Sequence, residues 1–289
     1  MTKHHLLDTP LLALVLATGA KLCANADLIL YEPFDYGSSD AGLVSCTGTA
    51  LGLDGTNYTG WTSSTYEAAG FSFSDLVVSG GKALIPYNAA AQANTRGLDC
   101  SIAPGGSLFG SFIYTPVGAA LNSTGALLFG ASNSTDNNAN LAVIGTWYNT
   151  TAKYTGLNST PVSIQSTGAE LALNLPVLML FHVTNMGASS GSQTLTLWVF
   201  SEAQYEAHKP NGLTPAYLNG LATGSAANQI LQTATLTKSV TPYVTMTDTM
   251  SMRLFIYRCG YRIDEIRLST SSLDEVTPGP DKATVIMIR

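Results

Sequence analysis

The chain of 289 residues suits one large all-β domain or two small ones. Only 11% of its residues are charged, against about 25% in an ordinary soluble domain, and Gly, Ser, Thr and Asn fill the gap. The net charge of −6, with 13 Lys and Arg scattered and no basic cluster, excludes nucleic acid and an anionic membrane surface as electrostatic partners.

Residues 1–26 have the pattern of a secretory signal. Lys3, His4 and His5 make a basic start, Leu11 to Ala20 an apolar core, and Ala24-Asn25-Ala26 a small-x-small cleavage pattern that would leave Asp27 first. The apolar run is too short to span a bilayer as a helix. Two expectations stand: a cleaved signal, or a retained segment whose Leu11 to Thr18 serves as an assembly strand. Cleavage leaves Cys46, Cys100 and Cys259; retention adds Cys23. In an oxidising compartment Cys46 with Cys100, or Cys100 with Cys259, are candidate disulfides, and spacing cannot choose between them. Without a Cys-x-x-Cys spacing a metal role is disfavoured.

Strand patterns dominate from Leu28 onward. Leu108–Tyr114, Ala126–Ala131 and Leu141–Tyr148 are apolar runs with Gly in or beside them. Val177–Thr184 and Thr194–Phe200 flank a Gly/Ser turn and read as a hairpin, with Leu195, Leu197 and Val199 on one face and Thr194, Thr196 and Trp198 on the other. Short helical patterns fall at Ser201–His208 and Pro215–Leu221. Met252–Tyr257 and Tyr261–Leu268 read as a second hairpin-like pair about Cys259-Gly260. After Pro278, residues 279–289 form an extension whose Ala283–Ile288 reads as a strand. The expected fold is an all-β antiparallel sandwich with one or two short helices, spanning residues 27–278.

Five Asn-x-Ser/Thr sequons, at Asn57, Asn122, Asn133, Asn149 and Asn158, are candidate glycosylation sites. Asp136-Asn137-Asn138-Ala139-Asn140 offers alternate oxygen ligands to calcium, but Leu141 and Trp147 stand where an EF-hand needs its Gly and its bidentate Glu, so a solvated turn is the better reading and no cofactor is expected. Glycoside hydrolysis needs two facing carboxylates. Asp264 and Glu265 are adjacent, which on a regular strand sends them to opposite faces; Glu265 pairing with a nearby Arg is the structural reading. His182 reads as an outward strand residue and His208 as part of a polar connection. No phosphate loop occurs, and no Gly-x-Ser-x-Gly stands between a strand and a helix as a nucleophile elbow requires, so no enzyme is expected. Trp61, Trp147, Trp198 and the 13 Tyr could supply aromatic faces to a sugar.

Tyr261-Arg262-Ile263-Asp264-Glu265-Ile266-Arg267-Leu268, followed by a polar turn and Val276-Thr277-Pro278, resembles the closing strand of concanavalin A-like (LamG-type) jelly-roll domains of bacterial secreted proteins. Leu28 to Tyr36 resembles their first strand, and Gly110–Tyr114 and Thr194–Val199 resemble internal ones. Many relatives carry a Pro-Glu-Pro sorting signal after the closing strand; this chain does not, so no C-terminal anchor is expected. The resemblance implies an extracellular scaffold for glycan binding, adhesion or assembly. Two functions are expected in that order: a glycosylated subunit that assembles with copies of itself into a surface fibre by head-to-tail strand addition, and a secreted lectin-like module that binds glycans without catalysis.

Overall fold

A computed structural model describes residues 28–48, 50–103, 105–131, 140–148, 153–159, 162–166, 171–186, 191–238 and 250–277. Its frame is a pair of long antiparallel strands, β7 (Gly106–Ala131) and β14 (Met250–Ser269), paired from Met250↔Ala131 to Ser269↔Phe109. Both strands bend midway and pass from one sheet into another, with register shifts at Tyr257/Cys259 and Gly260/Tyr261.

The first sheet runs β13 (Gln232–Lys238), β12 (Gln193–Phe200), β11 (Val177–Met186), the first half of β7 and the second half of β14. Along the far edge of β14 lie β1 (Leu28–Glu32) and β5 (Lys82–Ile85), and β5 carries β4 (Thr65–Glu67) and β2 (Ala41–Gly42). The second sheet runs β10 (Val162–Ser166), β9 (Lys153–Ser159), β8 (Asn140–Tyr148), the second half of β7, the first half of β14, β6 (Gln92–Gly97) and β3 (Thr59–Gly60). The result is the antiparallel β-sandwich expected.

Period-2 alternation fills the space between the sheets. Phe112, Tyr114, Met179, Phe181, Leu195, Leu197 and Val199 meet Leu127, Phe129, Ile144, Met252, Leu254 and Ile256 in one buried core. The rings of Phe129 and Phe181 lie 6.4 Å apart across it. The opposite parity of the first sheet buries Ile113, Leu178, Leu180, Trp198 and Phe200 in a second layer. That layer is roofed by α1 (Glu202–His208), α2 (Pro215–Asn219), α3 (Leu273–Val276) and by Phe73 and Leu76 of a loop. A capping box sets the start of α1, where Ser201 Oγ accepts from Gln204 N–H and Gln204 Oε1 accepts from Ser201 N–H. Thr214 caps α2, with Pro215 at its first position. The one-turn α3, capped by Ser272, occupies the segment read from sequence as a polar turn.

The hairpin Val177–Thr184/Thr194–Phe200 forms as expected, with Phe181 opposite Leu197. The second expected hairpin does not form. Cys259-Gly260 lies between two register shifts within one 20-residue strand, because both halves of β14 find partners on β7, which is 26 residues long and carries the extra residues. For the same reason Leu108–Tyr114 and Ala126–Ala131 are two ends of a single strand. Gly260 is closely packed at the bend: a Cβ there would lie 3.0 Å from Tyr87 N, so its neighbours would have to give slightly. Among the described residues no helix is long and apolar enough to cross a membrane.

Candidate functional site

The acidic residues singled out in the sequence are structural. Asp264 and Glu265 are both fully buried, which a regular strand does not allow for neighbours. A bulge between Asp264 and Arg267, with Glu265 at φ 55°, overrides the alternation. Asp264 accepts from Phe71 N–H at 3.1 Å and from Glu265 N–H at 2.8 Å. Glu265 accepts from Ser79 N–H at 2.6 Å and pairs with Arg267, which also donates to the Val77 carbonyl. Three residues of one strand therefore hold both ends of the loop 71–79. Burial, and then the charge of Glu265, push the Asp264 carboxyl well above its ordinary range. A second buried group ties down the first strand: Glu32 accepts from Arg96 at 2.9 Å, Tyr36 O–H at 2.7 Å, Tyr58 O–H at 3.2 Å and Phe34 N–H at 2.9 Å. Each of these carboxylates is engaged by donors of its own framework.

Other sequence candidates are also absorbed by the fold. Trp198 is fully buried and its Nε1–H donates to Asn219 Oδ1 at 3.1 Å, so it offers no face to a sugar. Trp61 is half-buried against the main core. His208 sits buried in the last turn of α1 rather than in a polar connection. Its Nε2–H faces the Gln229 carbonyl at 3.0 Å, which can only accept, so Nδ1 accepts from Tyr217 O–H at 2.7 Å. His182 is half-buried, stacked on Phe109 at 4.3 Å, and burial lowers its pKa. Cys46, Cys100 and Cys259 are free thiols, so neither expected disulfide is present; Cys46 donates to the Gly42 carbonyl and Cys259 to the Thr124 carbonyl, at separate places in the core. Asn57 lies half-exposed beside β3, while Asn122 and Asn158 fall within β7 and β9. Asn133, Asn149, residues 136–139 of the calcium-like run, and both terminal segments lie outside the described residues.

The outer face of the second sheet has a different character. Its core-facing parity is Leu127, Phe129, Ile144, Met252, Leu254 and Ile256. On the other parity, register aligns Tyr257, Thr124, Trp147 and Tyr154 across four adjacent strands. At the usual strand spacing such a row extends about 14 Å. Beside it lies a row of small residues, Ala126, Gly145 and Gly156, ending at Phe255. Beyond that come Arg253, Leu128, Val143 and Asn158. By register and residue type, a line of residues with one-carbon or no side chains runs across the strands between two lines of larger ones, in one of which Leu128 and Arg253 are buried; we call this line the trough. Its floor is tight: a Cβ on Gly145 would lie 2.1 Å from the Gly125 carbonyl oxygen. Ala126 is fully buried, whereas Thr124, Phe255 and Tyr257 keep partial exposure.

The end of the trough is the bend. Arg258, at φ 56°, is the unpaired residue of β14 at this register shift, where β7 carries the extra residues, 120–123, between Ala119 and Thr124. Alternation alone would send it away from Tyr257, yet its guanidinium lies over the Tyr257 ring at 4.9 Å. Its N–H donates to the Asn88 carbonyl at 2.7 Å, which brings Tyr87, 53% exposed, to the same rim.

The second sheet carries no carboxylate. Neither β3, β6, β8, β9, β10, residues 118–131 of β7 nor residues 250–260 of β14 contains Asp or Glu, while Arg96, Lys153, Arg253 and Arg258 lie on them. The sequence reading passed over this signal: Asp136 is the single acidic residue between Asp99 and Glu170.

No family model matches the chain, and no curated protein does. Among solved structures, the T. cruzi calreticulin globular domain is similar with a TM-score of 0.42 at 9% identity, covering 86% of this chain and 90% of that one. Domain 4 of AbnA, a GH43 extracellular arabinanase from Geobacillus stearothermophilus solved in complex with arabinotriose, gives 0.44 at 12% identity, with 87% and 97% covered. The PL-14 alginate lyase from Aplysia kurodai gives 0.34 at 11% identity, with 69% and 86% covered.

Proposed function

We propose that the protein is a secreted, non-catalytic carbohydrate-binding module that holds a glycan along the trough of the second sheet. The observation that carries this reading is the row Tyr257, Thr124, Trp147, Tyr154 beside a glycine-lined floor on a sheet without a carboxylate. Aromatic rings present apolar faces to the C–H side of a pyranose, and small residues let the chain approach the backbone. A glycosidase would need two carboxylates on that face. The test is a glycan array with the intact protein and with Trp147→Ala and Tyr257→Ala. Saturable binding that weakens about tenfold or more in either variant, the loss of a central aromatic contact, is the expected result. A flat array at high protein concentration removes the reading.

Self-assembly by strand addition is the second reading. It is favoured by β13, which among the described strands hydrogen-bonds to β12 alone. The donor candidates, residues 11–18 and 283–288, lie outside the described residues. Filaments that disappear when both segments are deleted would support it, and filaments that survive both deletions would end it. Glycans on the sequons, Asn57 first because its turn is partly exposed, belong with either reading and are checked by intact mass before and after enzymatic deglycosylation.

A further inference from the structure

The chain as a whole is acidic, at −6, yet the sheet that forms the trough is basic. Of its four cationic residues, Arg96 faces the core and is neutralised by Glu32. Arg258 is placed differently. Its guanidinium lies over the ring of Tyr257, an outer-parity residue, and among the described residues it has no carboxylate partner. Lys82 and Arg262 on and beside the first sheet pair with Glu67, and Arg267 with Glu265. A non-glycine residue at positive φ costs backbone energy and is a recurrent mark of a functional position. A half-buried arginine resting over an aromatic ring, with no carboxylate paired to it, has a planar fork of donors free for a carboxylate or sulfate. Net acidity means that a polyanion gains nothing from long-range attraction, so selectivity for one has to arise at this contact.

We infer that the trough is selective for glycans bearing anionic groups, with Arg258 the residue that binds a carboxylate or sulfate of the sugar next to the stacking row. This rests on the carbohydrate-binding reading above and adds the ligand class. The geometry does not separate a uronic acid from a sulfate ester, and the experiment does so by its arms.

The experiment is isothermal titration of the full chain at low and high salt against polygalacturonate, its methyl ester, chondroitin sulfate, desulfated chondroitin and a neutral arabinoxylan. Wild type is expected to bind at least one anionic polymer, and to lose about ten- to a hundredfold in affinity when that polymer's charge is esterified or removed, as for a charge-assisted hydrogen bond. Loss on methylation assigns the uronate, and loss on desulfation the sulfate. Arg258→Gln should lose a similar factor toward the anionic polymer and a smaller one toward neutral sugar. Arg258→Lys, which keeps the charge without the fork, should recover part of it. Unchanged affinity of Arg258→Gln for the anionic polymer, or equal affinity of wild type for charged and neutral polymers, overturns the anionic selectivity while leaving carbohydrate binding in place. Absence of binding to every polymer, together with a flat array, overturns both. A folded variant is confirmed by an unaltered thermal transition; should Arg258→Gln not fold, the esterified and desulfated polymers decide with wild type alone.

Discussion

The carboxyl of Asp264, fully buried and accepting from Phe71 N–H and Glu265 N–H, is protonated more readily in the folded chain than in the unfolded one. An unfolded aspartate titrates near about pH 3.9. Above the folded value both states are ionised and the folded state bears the full cost of a buried charge beside another. Stability therefore falls as pH rises from the unfolded value through the raised folded one, and recovers on acidification. The expected outcome is a higher Tm at about pH 5 than at about pH 8, with the difference reduced in Asp264→Asn, which cannot ionise. Thermal unfolding followed at both pH values checks it, and a higher Tm at the alkaline end in wild type would refute this assignment. The pairing of Glu265 with an arginine was legible in the sequence; the burial of both carboxyls was not, because adjacent Asp and Glu on a strand imply opposite faces. The bulge at Glu265 decides the matter, and nothing in Ile263-Asp264-Glu265-Ile266 announces it.

At the scale of elements, hairpin and helix signals that depend on local chemistry were readable. Ser201 with Gln204 three residues on is a capping signature, and Ser201→Ala is expected to cost about 1 kcal/mol by chemical denaturation. The alternation of Leu195, Leu197 and Val199 against Trp198 predicted which face each would bury, and the two cores separate them as expected. Long strands were not readable as such. A Gly-containing run in the middle of an apolar stretch marks a turn or a bulge equally well, and the choice at Cys259-Gly260 depends on whether β7 is long enough to pair with both halves. The floor of the trough gives a test at this scale. Gly145→Ala places a methyl group against the Gly125 carbonyl, and a loss of about 1–3 kcal/mol in stability is expected. A neutral Gly145→Ala would mean that β7 and β8 are farther apart than the register implies.

For the whole molecule, the sandwich separates two jobs. The first sheet has its outer face roofed by helices and by a loop held with buried carboxylates and arginines, so its outward aromatics, Trp198 foremost, are core. The second sheet has its acids removed, its small residues aligned and its aromatics in register. Which tryptophan belongs to which sheet was beyond a reading of Trp61, Trp147 and Trp198 as a group, because partner strands far apart in sequence set the row: Tyr257 and Thr124 are 133 positions apart yet directly opposite. The basic character of that sheet was present in the sequence as a gap in Asp and Glu, and it acquires meaning once β6 to β9 and half of β14 are seen to lie together.

The most direct test of the central claim is to map a bound oligosaccharide by amide chemical-shift changes on the deuterated protein. The account predicts that the largest changes trace the outer parity of the second sheet: Thr124, Ala126, Gly145, Trp147, Phe255 and Tyr257, with Arg258 at one end. Changes confined to α1, α2 and the loop 71–79, or scattered without saturation, would contradict it.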